Sequence, residues 1–137
     1  MGAEIFQNYS DGKDAATAYK KAVEMALYYH GHGGYSGTIA EKGGYVRFEC
    51  PSGIKATQLM NWAEHCSYKI EYLKDVPEKH RQLVANMAVV FDDKWGPAVC
   101  IELRGKELAD EREKYCEEHH VKRTSRKFFL FGGYASS

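Results

Sequence analysis

The sequence predicts an α+β fold: a mostly antiparallel sheet of five to six strands, with three to four helices on one face. Three observations predict it. Apolar residues recur at helical spacing between positions 15 and 27 and again between 59 and 73. Short β-rich runs bounded by turn residues stand at 3–9, 45–50, 87–91, 98–103 and 127–131. Their order, βα(β)β-αα-ββ-α-β, mixes hairpins with helices instead of alternating them strictly. At 137 residues and 44% hydrophobic, the chain suits a single domain, 1–137, around one core.

Taken in order, Ala3 to Tyr9 alternates loosely and ends at Ser10-Asp11-Gly12, a strand and its turn. Asp14 is placed to cap a helix whose apolar face is Ala15, Ala18, Tyr19, Ala22, Val23, Ala26 and Leu27. Gly31 is a left-handed stop for it. Ser36 to Ala40 predicts a short strand, Glu41 to Gly44 a hairpin turn, and Tyr45 to Cys50 a strand closed by Pro51-Ser52-Gly53. Leu59, Trp62, Ala63, Cys66, Ile70 and Leu73 mark a second helix. Asp75-Val76-Pro77-Glu78 reads as the start of a third, with Asp75 as cap and Pro77 in the first turn.

Met87 to Phe91 and Ala98 to Leu103 are continuous apolar runs joined by a polar turn, the pattern of a buried hairpin. Ala109 to His119 predicts a charged, exposed helix with Leu108, Arg112, Tyr115 and Cys116 on one side. Lys127 to Phe131 is a last strand, ended by Gly132-Gly133.

Nineteen basic and nineteen acidic residues cancel. A whole-surface nucleic-acid binder needs many phosphate contacts, so zero net charge argues against nucleic acid as partner. It also leaves little colloidal repulsion against a homo-oligomer. No run approaches eighteen apolar residues, and the first residues lack a signal-peptide pattern, so no membrane partner is expected. Cys50, Cys66, Cys100 and Cys116 form no Cys-x-x-Cys pair and are expected to be reduced, as in a cytoplasm.

The unusual chemistry is concentrated between Tyr28 and Tyr45. That stretch holds six of thirteen glycines, two of six histidines and four of ten tyrosines. Glycine spends conformational entropy to permit positive φ and close approach to backbone. The amides from Gly31 to Gly37 could form an anion nest for a small anionic ligand, with His30, His32, Tyr35, Ser36 and Thr38 converging on it. No P-loop lysine follows, and a helix precedes the segment, the reverse of a dinucleotide fingerprint. The same glycines also serve a plain helix stop.

For a protein target, Tyr28, Tyr35, Tyr45, Trp95 and Tyr134 are candidate anchors, because interface energy concentrates in large aromatics. The only basic cluster, His119 to Lys127, adds Arg123 and Arg126 beside Phe128 and Phe129. Zinc-type ligands (His30, His32, Cys50, His65, Cys66, Cys116, His119 and His120) match no common finger or ribbon spacing. No Gly-x-Ser-x-Gly elbow is present, and neither a catalytic group nor a cofactor is expected.

Tyr29-His30-Gly31 with Gly34-Tyr35 resembles the Tyr-His-Gly start of diphtheria-type ADP-ribosyltransferase active sites, which would imply NAD binding. There the histidine ends a strand; here it is expected to end a helix. More broadly, His30 to Lys42, Asp93 to Ala98 and Phe131 to Ser137 resemble a family of small bacteriophage proteins with no assigned activity. That resemblance implies expression in the host bacterial cytoplasm and no particular reaction. The resulting expectation is a non-enzymatic phage accessory protein that binds a bacterial host or anti-phage defence protein. The alternative is a nucleotide- or NAD-binding protein using the 30–44 segment, which the first resemblance would make an ADP-ribosyltransferase-like enzyme.

Overall fold

The computed structural model describes residues 2–137. Four strands form one sheet in the order β1-β4-β3-β2. They are β1 (Ala3–Gly12), β2 (Tyr45–Phe48), β3 (Ala98–Glu102) and β4 (Lys127–Ser136), with helices α1 (Ala15–His30), α2 (Ala56–Tyr68), α3 (Arg81–Asp92) and α4 (Gly105–His119). The α+β class is as expected, but the sheet is mixed and smaller than the five to six strands predicted. β1–β4 and β4–β3 run antiparallel, while β2 joins β3 in parallel.

Helices lie on both faces of the sheet, not one. β4 supplies the reason, because its four consecutive apolar residues are all buried. Phe129 and Phe131 pack under α1 with Phe6, Ala18, Ala22 and Cys100. Phe128 and Leu130 pack with α2 and α3 through Leu59, Met60, Val84, Met87 and Phe91. A strand buried on both sides loses its polar alternation, and the run Phe128-Phe129-Leu130-Phe131 is that signature.

The structure turns the predicted strand Met87–Phe91 into the end of α3. Val84, Met87, Ala88 and Phe91 are buried at i, i+3, i+4 and i+7, while Val89 faces solvent. An apolar run of five is ambiguous between strand and helix until Val84 is included. Since α3 is a helix, no hairpin joins it to β3. The second predicted helix stops at Tyr68, where Lys69 turns extended, and Ile70–Asp75 is a separate 3-10 segment. Asp75 therefore caps nothing; Pro77 opens the 3-10 turn Glu78–His80 that leads into α3. The predicted strand Ser36–Ala40 and hairpin turn Glu41–Gly44 are replaced by a 3-10 turn, Ile39–Glu41. α4 begins at Gly105.

β4 continues through Gly132 and Gly133 rather than stopping there. A Cβ at Gly132 would stand 2.7 Å from Met60 Sδ. Glycine lets α2 approach the sheet at that point. Among the described residues no helix is long and apolar enough to cross a membrane.

Candidate functional site

The segment between α1 and β2 is built as expected at its start. Asp14 accepts from Thr17 N at 2.8 Å to cap α1, and Gly31 ends it at φ 79°, its amide bonded to Leu27 O. Beyond Gly31 the chain is folded around one carboxylate. Glu41 accepts from Tyr35 N at 2.9 Å, Ser36 N at 3.1 Å and Ser36 Oγ at 2.6 Å. Since the Ser36 proton goes to Glu41, the Thr38 hydroxyl donates to Ser36 Oγ at 2.7 Å. Thr38 Oγ1 in turn accepts from Ala40 N and caps the turn whose Ile39 is buried.

The Ser36 hydroxyl, with the amides of Ser36 and Tyr35, outweighs partial desolvation and holds the Glu41 carboxyl below the ordinary glutamate value. Successive amides cradling an oxyanion are an anion nest. Here the anion belongs to the chain itself. The local backbone is left-handed at Tyr35, φ 54°, a conformation unfavourable for a tyrosine and held by the bonds around it. Gly37, at φ 70°, donates to Ser136 O at 2.8 Å, and a Cβ there would meet Glu4 at 2.7 Å. Only glycine lets the segment lie against the end of β4 in this way.

Lys42 fastens the other flank. Its side chain is buried, Nζ donates to Asp93 O at 2.9 Å, and its own carbonyl accepts from Tyr19 Oη at 2.8 Å. Burial pushes the ammonium pKa down, partly opposed by the Asp93 charge. Lys42 thereby ties the 30–44 segment to the 93–97 loop, where Asp93 Oδ1 accepts from Trp95 N and Lys94 lies over the exposed Trp95 ring.

The candidate residues thus divide, and Tyr29, which is not among the expected anchors, is exposed with the first group. Tyr28, Tyr29 and Tyr35 are 81%, 70% and 54% exposed, and His30 and His32 are exposed beside them. Trp95 is 60% exposed on the 93–97 loop, which Lys42 ties to this segment through Asp93 O. Ser36 and Thr38 face inward to Glu41 and each other. Tyr45 packs on Tyr19 and Phe131, and Tyr134 stands edge-on to Phe91 at 5.7 Å, so both are packing residues. Arg126 donates to Asp11 Oδ2 at 2.6 Å and lies over the Tyr115 ring. Arg123 is exposed, near the Lys127 end of β4. That end is about 30 Å of extended strand from the Ser136 end, where Gly37 binds, so Arg123 and Arg126 do not converge with Tyr35. Asp11, the partner of Arg126, instead lines a groove with Tyr29 and His30.

Sequence reasoning missed Glu41, Lys42 and Asp11. Asp11 binds Lys21 and Arg126, each at 2.6 Å. Burial works against its charge, but the two cations outweigh it and hold the carboxyl below its ordinary value. Gly43-Gly44 hid Glu41 and Lys42 by making them look like a hairpin turn. Burial pushes the Cys100 thiol up to about 12 and Cys50 to about 11, which makes both poor nucleophiles. Among the described residues, no three His, Cys, Asp or Glu gather where a metal could sit.

A cleft of about 430 Å³ lies where β2 and β3 end, lined by Ser52, Gly53, Lys55, Arg104, Lys106 and others. Glu107 fills one side of it, capping α2 through Ala56 N at 2.7 Å and Thr57 N at 3.2 Å. No protein-family model matches this chain, and no match was found among curated proteins or solved structures.

Proposed function

We propose that this chain is a non-enzymatic interaction module, a bacteriophage accessory protein that binds a host or anti-phage defence component. One observation carries the reading: Glu41 braces the 30–44 segment from within, leaving Tyr35 and His32 on its outside, next along the chain to the exposed Tyr28, Tyr29 and His30 of the last turn of α1. A loop ordered in advance loses less entropy on binding. Tyrosine supplies wide amphipathic contact with only two side-chain torsions to fix, and interface energy concentrates in such anchors. The small-ligand alternative meets a nest whose amides already hold an internal carboxylate.

The test is affinity capture. The full chain, immobilised, should retain a discrete bacterial protein saturably, and Tyr28→Ser with Tyr35→Ser should abolish retention while leaving the thermal midpoint unchanged. Equal retention by that double variant would defeat the reading. Thermal shifts with NAD and nucleotides provide the opposing arm. A stabilisation lost in His30→Ala would replace the interaction module with a ligand-binding protein.

A further inference from the structure

Two edges bound the sheet, and they are treated differently. β2 is four residues long, and its Arg47 pairs with Glu102. β1 is ten residues long, with no proline, no lysine and an unbroken register against β4. Natural sheets blunt exposed edges with short strands, lysine and proline. β1 has as charges only Glu4 and Asp11, the latter already neutralised by Lys21 and Arg126, and a long edge so little blunted pairs readily with another strand.

The outward groups can be assigned. Gly2 and Ser137 exchange both backbone hydrogen bonds, at 3.2 and 3.1 Å. Antiparallel ladders alternate between bonded and non-bonded pairs. The even residues of β1 therefore spend their amides and carbonyls on β4. Ala3, Ile5, Gln7, Tyr9 and Asp11 direct theirs away from the sheet. Ile5 and Tyr9 are also 44% and 45% exposed.

This set of outward residues is symmetric about Gln7. We propose that β1 pairs antiparallel with β1 of a second copy about a twofold axis at Gln7, joining two four-stranded sheets into one continuous sheet. It is the one antiparallel register that satisfies every outward group. Gln7 faces its own counterpart, Ile5 faces Tyr9 of the second copy, and Ala3 faces Asp11. Ile5 against Tyr9, formed twice, is an aromatic–β-branched pair of the kind that stabilises neighbouring strands. Glu4 falls opposite Ser10, so no like charges meet, and the chain carries no net charge to oppose association. Met25 and Tyr29 of α1 share a groove with Asn8–Asp11 and flank the seam from one face. This inference is independent of the partner-binding reading, because its readout is mass and cross-linking alone.

Light scattering on the full chain across a concentration series should give twice the 15.6 kDa chain mass. Ile5→Lys should yield a folded monomer, and so should Tyr9→Glu. The combined Ile5→Lys, Tyr9→Glu chain should dimerise again, since the register sets the two charges opposite each other. Gln7→Cys should cross-link under mild oxidation, because directly paired residues bring their Cα atoms to about 5.5 Å, within disulfide reach. Ile5→Cys should not, being offset by four residues from its counterpart. A monomer at all concentrations overturns the proposal. So does a dimer indifferent to Ile5→Lys, or preferential cross-linking through Ile5→Cys. A monomer that loses a captured bacterial protein on Ile5→Lys would assign the edge to a foreign strand and overturn it equally.

Discussion

Glu41 does inside this loop what a bound anion does in other glycine-rich turns. Its carboxylate gathers two amides and a hydroxyl. Glu41→Ala should lower stability by about 0.5–1.5 kcal/mol, since water reaches the freed donors, read as a fall of a few degrees in the calorimetric midpoint. The pH dependence has a definite sign. A carboxyl held below its ordinary value adds stability above that value and loses it as pH falls through the lowered one. Glu41 and Asp11 both behave so. Unfolding midpoints should be flat near neutrality and drop in acid below the ordinary carboxylate range, and Asp11→Asn should flatten that drop. At this scale the local signals were legible: Asp14 and Gly31 act on neighbours within one turn. Asp11 and Arg126 were not, because their bond joins residues 115 positions apart. The basic cluster near Arg126 therefore looked available when this member was already engaged.

Among the elements, α1 follows from period alone and β1 as far as Tyr9, the expected turn Ser10-Asp11-Gly12 being instead the paired end of that strand, whereas α3 and β4 do not follow. Met87 to Phe91 looked like a strand because burial hides polarity in helix and strand alike. Phe91 is fully buried against Tyr134 and the α2 face of the core. Phe91→Ala should cost about 3–5 kcal/mol by chemical denaturation. The β4 glycines looked like a stop because glycine ends strands more often than it admits a helix. Gly132→Ala should cost about 1–3 kcal/mol through overpacking on Met60. Met60→Ala in the same chain should recover part of that loss, which double-mutant denaturation would show.

For the whole molecule, the α+β class was legible from element order, but strand count, mixed direction and two-sided helix packing were not. Each depended on α3 being a helix, since β2, α2, α3 and β3 then make a parallel crossover instead of a hairpin. The site was legible as a place, residues 30–44, and not as a mechanism. Composition showed that glycine, tyrosine and histidine were concentrated there; only the fold shows that a carboxylate from the same segment fills its interior. If that filling is what fits the loop for recognition, then Glu41, which contributes no outward side chain, should govern affinity. The decisive measurement is the dissociation constant of the captured bacterial partner for the parent chain and for Glu41→Ala, at a temperature where both are folded. Loss of the brace should weaken binding about 5- to 30-fold, the equivalent of about 1–2 kcal/mol. Undiminished affinity in Glu41→Ala would contradict the account.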